Sequence, residues 1–148
     1  MRLVVDANIL VSELIRERGR KLIARPELEL YMAEKAWDET TYELNKRIEK
    51  IVNRGVFSTS VGQSLLSDGI ALAEARVAIV PHEIYAPYET IARNRIPRDP
   101  NDWFTVALAL AIEAAIWTSD RDFFGCGVAT WTTDTLLIHL KTNQSNVS

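Results

Sequence analysis

The chain has 148 residues, 47% of them hydrophobic and 25% charged, with a formal net charge of −3. That is enough for one domain with a real core and short for two, no apolar run approaches the roughly 18–20 residues of a membrane span, and no basic-then-apolar leader opens the chain. Cys126 is the single cysteine, so an intrachain disulfide is excluded and a soluble cytoplasmic protein is expected.

Leu3-Val4-Val5 is a short apolar run that ends in Asp6, followed by Asn8, a good N-cap, and by Ile9, Leu10, Leu14 and Ile15 at helical period. This pattern predicts a buried strand delivering Asp6 to its carboxyl edge, then a helix from Asn8 to about Arg18 that stops near Gly19. Leu28 to Met32 alternates as a second short strand after Pro26. Ala36 to Val52 carries Trp37, Leu44, Ile48, Ile51 and Val52 on a helix ended by Gly55. Glu39 and Glu43 share one face of it, a turn apart. Ser58-Thr59-Ser60 caps a helix to about Ala73, with Val61, Leu65, Leu66 and Ile70 or Leu72 inward.

Val77 to Val80 reads as a third strand closed by Pro81, and Tyr85 to about Arg93 as a short helix or turn. The turn Arg98-Asp99-Pro100-Asn101-Asp102 opens a helix with a small apolar face, Val106, Ala107, Ala109, Leu110, Ala111 and Ala114. Ala115 to Thr118 is a fourth strand, ending in Ser119-Asp120-Arg121-Asp122, and Val128 to Trp131 a fifth. Thr132 or Thr133 caps a last helix through Leu140, and the polar tail from Thr142 is expected to fray. The order predicts an α/β fold, a mainly parallel five-stranded sheet flanked by helices on both faces. One domain spans 1–141, with a polar tail over 142–148.

Acids from separate segments then meet. Asp6 and Asp120 follow the first and fourth strands, Asp102 starts the helix leading into the fourth, and Glu39 lies near the start of the helix after the second. Each alone has an ordinary explanation as a helix-start charge, a solvated residue or a turn cap. At one carboxyl edge they would repel unless something positive neutralised them. Oxygen ligands without thiolate or imidazole point to Mg2+ or Mn2+; His82 and His139 have no ligand-like spacing, which speaks against zinc.

The segments Val4-Val5-Asp6-Ala7-Asn8-Ile9-Leu10, Glu39, Asp99-Pro100-Asn101-Asp102 with Ala107 and Ala109, and Thr118-Ser119-Asp120-Arg121-Asp122-Phe123 resemble the PIN-domain family of metal-dependent ribonucleases, which includes toxins of toxin–antitoxin pairs. The resemblance runs from residue 2 to about 131 and implies a PIN-like three-layer sandwich. It implies catalytic, metal-holding acids at Asp6, Glu39, Asp102 and Asp120, with Asn8 and Thr118 orienting water or neighbouring carboxylates. Glu43 could replace Glu39, Asp99 could compete with Asp102, and Asp122 is either a peripheral ligand or a turn acid. Glu39 stands nearer the helix start, whereas Glu43 is placed to pair with Arg47.

The implied activity is hydrolysis of RNA phosphodiesters by a metal-activated water, with no side-chain nucleophile. Two basic clusters, Arg16, Arg18, Arg20, Lys21 and Arg25, and Arg93, Arg95 and Arg98, are either solvated faces or the groups that hold RNA backbone. Trp103 and Tyr85 are either core residues or stacking platforms for a base. An antitoxin and a second copy of the chain are the protein partners implied, with no membrane. The alternatives are a PIN-like module that binds RNA or protein without cutting, and a phosphotransferase with an aspartyl-phosphate. The latter is disfavoured because Asn8 stands two residues after Asp6, where that chemistry has a second Asp.

Overall fold

Leu3, Val4 and Val5 are all fully buried, so the strand they form, β1 (Arg2–Val5), is covered on both faces and reads as an unbroken apolar run. The computed structural model of the protein describes residues 1–147. β1 is the middle of a five-stranded sheet with β2 (Glu29–Ala33), β3 (Val77–Val80), β4 (Ala115–Trp117) and β5 (Thr130–Trp131), in the order β3-β2-β1-β4-β5. Every neighbouring pair is parallel. The order reverses between β1 and β4, and crevices for ligands open beyond the carboxyl ends of strands at such a switch point.

The register sets what faces that crevice. Val5 lies opposite Trp117 across the β1–β4 pair, and the Asp6 amide continues the ladder by donating to the Trp117 carbonyl at 3.0 Å. Asp6 and Thr118 therefore stand side by side at the carboxyl edge.

Asp6 itself, rather than Asn8, takes the N-cap position of α1 (Ala7–Ile15). The expected helix to Arg18 divides: Arg16 is extended, and α2 (Glu17–Ile23) starts anew after it. Arg20 fixes this corner by donating to the carbonyls of Leu14 and Ile15, the free end of α1. Gly19 does not stop a helix but lies buried inside α2, its Cα against the backbone of Glu13.

α3 (Glu34–Asn53) follows β2 directly, and Gly55, at φ 75°, lies just beyond its end. α4 (Thr59–Arg76) is capped by Ser58, whose Oγ accepts from the Val61 amide. Its buried stripe is Gly62, Gly69 and Ala73, while Val61, expected inward, is half exposed. The small residues win because α3 approaches too closely for more: a Cβ on Gly62 would stand 2.6 Å from Val52 Cγ2.

The uncertain segment after β3 is helical, as α5 (His82–Tyr85) and α6 (Glu89–Arg95) joined by a 3-10 turn. α7 (Trp103–Ile112) has every residue from Trp103 to Ala109 buried and lies against β1, β2 and β4. β5 is shorter than expected, and α8 (Thr133–Val147) carries on through the segment expected to fray; Ser148 lies outside the described residues.

The Gly19 contact makes a direct prediction. Gly19→Ala drives a methyl into the Glu13 carbonyl oxygen and should lower stability by about 2–3 kcal/mol in urea unfolding. An unchanged midpoint would show that α2 can move off α1 without loss.

Candidate metal centre

At the carboxyl edge the site is built outward from Asp6. The Thr118 hydroxyl, itself fully buried, donates to Asp6 Oδ2 at 2.9 Å and accepts the Asp120 amide at 3.0 Å. Asp120 Oδ1 in turn accepts the Asp122 amide at 2.9 Å and caps the 3-10 turn Arg121–Phe123. One threonine at the end of β4 thus links the acid after β1 to the acid after β4. Behind it, Trp117 Nε1 donates to Thr133 Oγ1 at 3.1 Å, and Thr133 donates to Glu13 Oε1 at 3.2 Å.

Glu13 is 3% exposed and belongs to the support of this edge, which the sequence reading missed. The available signal was its position, three residues from Leu10 and four from Ile9, on the apolar stripe of α1.

The acids feel one another. Asp6 is pushed up to about 6, first by burial and then by the charges of Asp120 and Glu39, with the Thr118 hydrogen bond and the Asn8 backbone pulling the other way. Asp102, on the 3-10 turn Pro100–Asp102, is pushed up to about 7. Burial is the main cause, then the charge and hydrogen bond of Asp99, then the charges of Asp6 and Glu39. Asp120 and Glu39 thus act on Asp6, Asp6 and Glu39 act on Asp102, and Asp99 adjoins Asp102. Arg47 donates to Ser12 Oγ at 3.0 Å instead of forming the expected pair with Glu43.

These carboxylates suit a hard divalent cation by donor type. Among the described residues no three His, Cys, Asp or Glu side chains are gathered into a closed ligand set. Mg2+ does not require one, because it keeps several waters and takes one or two carboxylates directly. A divalent cation would offset the neighbouring charges that, after burial, help raise Asp6 and Asp102.

The basic residues separate by what they touch. Arg20 is committed to the corner of α1, Lys21 pairs with Glu17, and Arg25 pairs with Glu27. Arg18 lies between Glu13 and Asp134, at 3.9 and 3.6 Å. Arg93 pairs with Glu89, and Arg95 donates to the Cys126 carbonyl. Arg98 spans to the Arg121 carbonyl and to Asp122. Arg16 is exposed and lines a cleft of about 360 Å³ with Ser12, Glu13, Arg18, Ser119 and Asp134. Trp103 and Tyr85, at 2% and 0% exposure, pack on each other with ring centroids 5.8 Å apart and are core rather than stacking platforms.

A PIN-domain model matches residues 4–141, and the chain belongs to the PIN-domain family. Its fold is also that of solved structures at low identity. A toxin–antitoxin complex from Klebsiella pneumoniae is 19% identical, with a TM-score of 0.56 over 83% of this chain and 91% of that one. FitAB bound to a DNA fragment is 18% identical, with a TM-score of 0.56 over 89% and 94%. FitAcB from Neisseria gonorrhoeae is 19% identical, with a TM-score of 0.53 over 88% and 96%. No curated protein sequence matches the chain at a significant level. Among the described residues no helix is long and apolar enough to cross a membrane.

The raised acids fix a pH dependence. A carboxyl whose pKa is higher folded than unfolded binds more protons in the native state, so its contribution is present at low pH and is lost as pH rises through the raised value. For Asp102 that window runs from about 4, the ordinary aspartate value, to about 7. In EDTA, Asp102→Asn should therefore melt near wild type at pH 4.5 and several degrees above it at pH 8. A variant that melts lower at pH 8 would show that ionised Asp102 is stabilised by its surroundings.

Proposed function

We propose that this PIN-domain protein is a Mg2+- or Mn2+-dependent endoribonuclease and the toxin of a toxin–antitoxin pair. The observation that carries the reading is the Thr118 hydroxyl joining Asp6 to the Asp120 amide at the switch point between β1 and β4, with the charge of Glu39 acting on both Asp6 and Asp102. Asp6, Glu39, Asp102 and Asp120 would hold the cation. When bound, it lowers the pKa of a water and offsets charge on the phosphate oxygens.

The chain's own groups supply the placement. Thr118 occupies Asp6 Oδ2 and leaves the other oxygen of that carboxylate as a ligand. The Asp122 amide holds Asp120 by Oδ1 in the same way. Asn8, exposed in the first turn of α1, stands at the rim where a substrate oxygen or water would pass. Arg16, which forms no ion pair among the described residues, is the strongest candidate of the first basic cluster for RNA backbone, a contact that gives salt-dependent affinity without sequence readout. Glu43 supports the site from a turn away.

The resemblance to a solved toxin–antitoxin complex supports an antitoxin partner, and pairing with a second copy is in keeping with the family. A second reading, a PIN-like module that binds RNA or protein without cutting, draws on the lack of a gathered three-acid ligand set among the described residues.

One assay separates the two. Purified protein should cleave RNA in Mn2+ or Mg2+ and stop in EDTA. Asp6→Asn should lose at least about a hundredfold in rate, the scale of removing a group that stabilises developing charge, with an unchanged circular dichroism spectrum. Binding of RNA without cleavage in either ion, or full activity in Asp6→Asn, would favour the non-cutting module.

A further inference from the structure

The two loops that carry Asp102 and Asp120 are separated by α7 and β4 and are each rich in acid, with Asp99 beside Asp102 and Asp122 beside Asp120. Among the described residues the main-chain bonds of both loops are local, Asp99 to Ile96, Asp102 to Asp99, Phe123 to Asp120 and Phe124 to Arg121. Like charges facing across such a gap push the loops apart. Among the described residues two side chains reach across: Arg95, at the end of α6, donates to the Cys126 carbonyl, and Arg98, immediately before Asp99, meets the Asp120 turn itself. Its Nη2 donates to the Arg121 carbonyl at 3.0 Å, and its Nε lies 3.3 Å from Asp122 Oδ1.

We infer that Arg98 is a positioning residue rather than an RNA ligand: it clamps the Asp120 loop to the Asp102 loop and thereby keeps the two carboxylates at one edge. The planar guanidinium suits the task, because it reaches a carbonyl and a carboxylate at once with fixed geometry, which a lysine cannot do. Asp122 gains a definite part by the same argument. Its amide is bound to Asp120 and its carboxylate to Arg98, so it passes the restraint on Asp120 to the other loop. At 67% exposure for Arg98 and 34% for Asp122, the carboxylate contact is partly screened by solvent, and the carbonyl contact carries a correspondingly larger share.

The inference rests on the metal-centre reading for its purpose but not for its test. Hydrogen exchange of the metal-free protein reads the clamp directly. In Arg98→Gln the amides of Asp122, Phe123 and Phe124 should exchange about tenfold faster, the effect of losing one charge-assisted bond, while those of β1 and α7 are unchanged. Arg98→Lys should fall between the two. Unchanged exchange in residues 120–124 would overturn the clamp whether or not the protein cleaves RNA.

A second readout separates clamp from ligand. A clamp predicts that Arg98→Gln weakens Mn2+ binding about tenfold by calorimetry and leaves the salt dependence of RNA binding as in wild type. An intact Mn2+ affinity with a salt slope shallower by about one would make Arg98 an RNA-backbone contact and overturn the assignment. Wild-type protein that binds no Mn2+, yet shows the loosened loop in Arg98→Gln, would remove the metal-centre reading and leave the clamp standing.

Discussion

The bond from the Thr118 hydroxyl to Asp6 is the contact on which the site depends, and it exists only because β1 pairs with β4. That pairing joins segments more than a hundred residues apart and sets Asp6 beside Thr118 through the register Val5–Trp117. Slipping it by one residue would turn Asp6 to the opposite face and leave Thr118 without its acceptor. Thr118 then holds Asp120 by its amide, so the fold's central strand pair and two of its acids form one connected unit. The buried chain from Trp117 through Thr133 to Glu13 supports that unit from behind and ties it to α1 and α8.

Against this order stands the repulsion of the acids it assembles. Asp6 and Asp102 have raised pKa values because burial and neighbouring charge both disfavour ionisation. A domain does not gather carboxylates for its own stability, since removing them would relieve the strain. On the proposed reading their convergence is a place where stability is given up for binding, and a divalent cation is the partner whose charge and oxygen preference would fit. The same balance explains why so many of the surrounding cations are already engaged. Arg98, Arg18 and Arg93 each contact a carboxylate, whereas Arg16 is exposed at its cleft and is the cation proposed to meet an anionic substrate.

Much of this was legible in the chain. A run of Val and Leu ending in Asp, and a second strand ending in Thr-Ser-Asp, gave two points on one sheet edge, and parallel topology followed from helices between strands. Where the reading failed, tertiary contact overrode local pattern. Gly19 looked like a helix stop because glycine favours ends, yet it is needed within α2 for close approach to Glu13. Val61 looked inward on helical period, but the α3–α4 contact is made by Gly62 and Gly69, whose role no hydrophobicity pattern reports. The basic clusters could not be sorted by sequence at all, because what separates Arg16 from Arg20 is a pair of backbone carbonyls at the end of α1. Glu43 and Arg47 matched a helical ion pair by spacing, but Ser12 of the neighbouring helix takes the arginine.

The most direct measurement is an anomalous-difference map from crystals grown in Mn2+. The account predicts a peak at the carboxyl edge between β1 and β4, within ligand distance of Asp6 and bordered by Asp102, Asp120 and Glu39, with Glu43 outside its coordination sphere. A map with no peak there at millimolar Mn2+, or a peak held by residues elsewhere on the molecule, would contradict it.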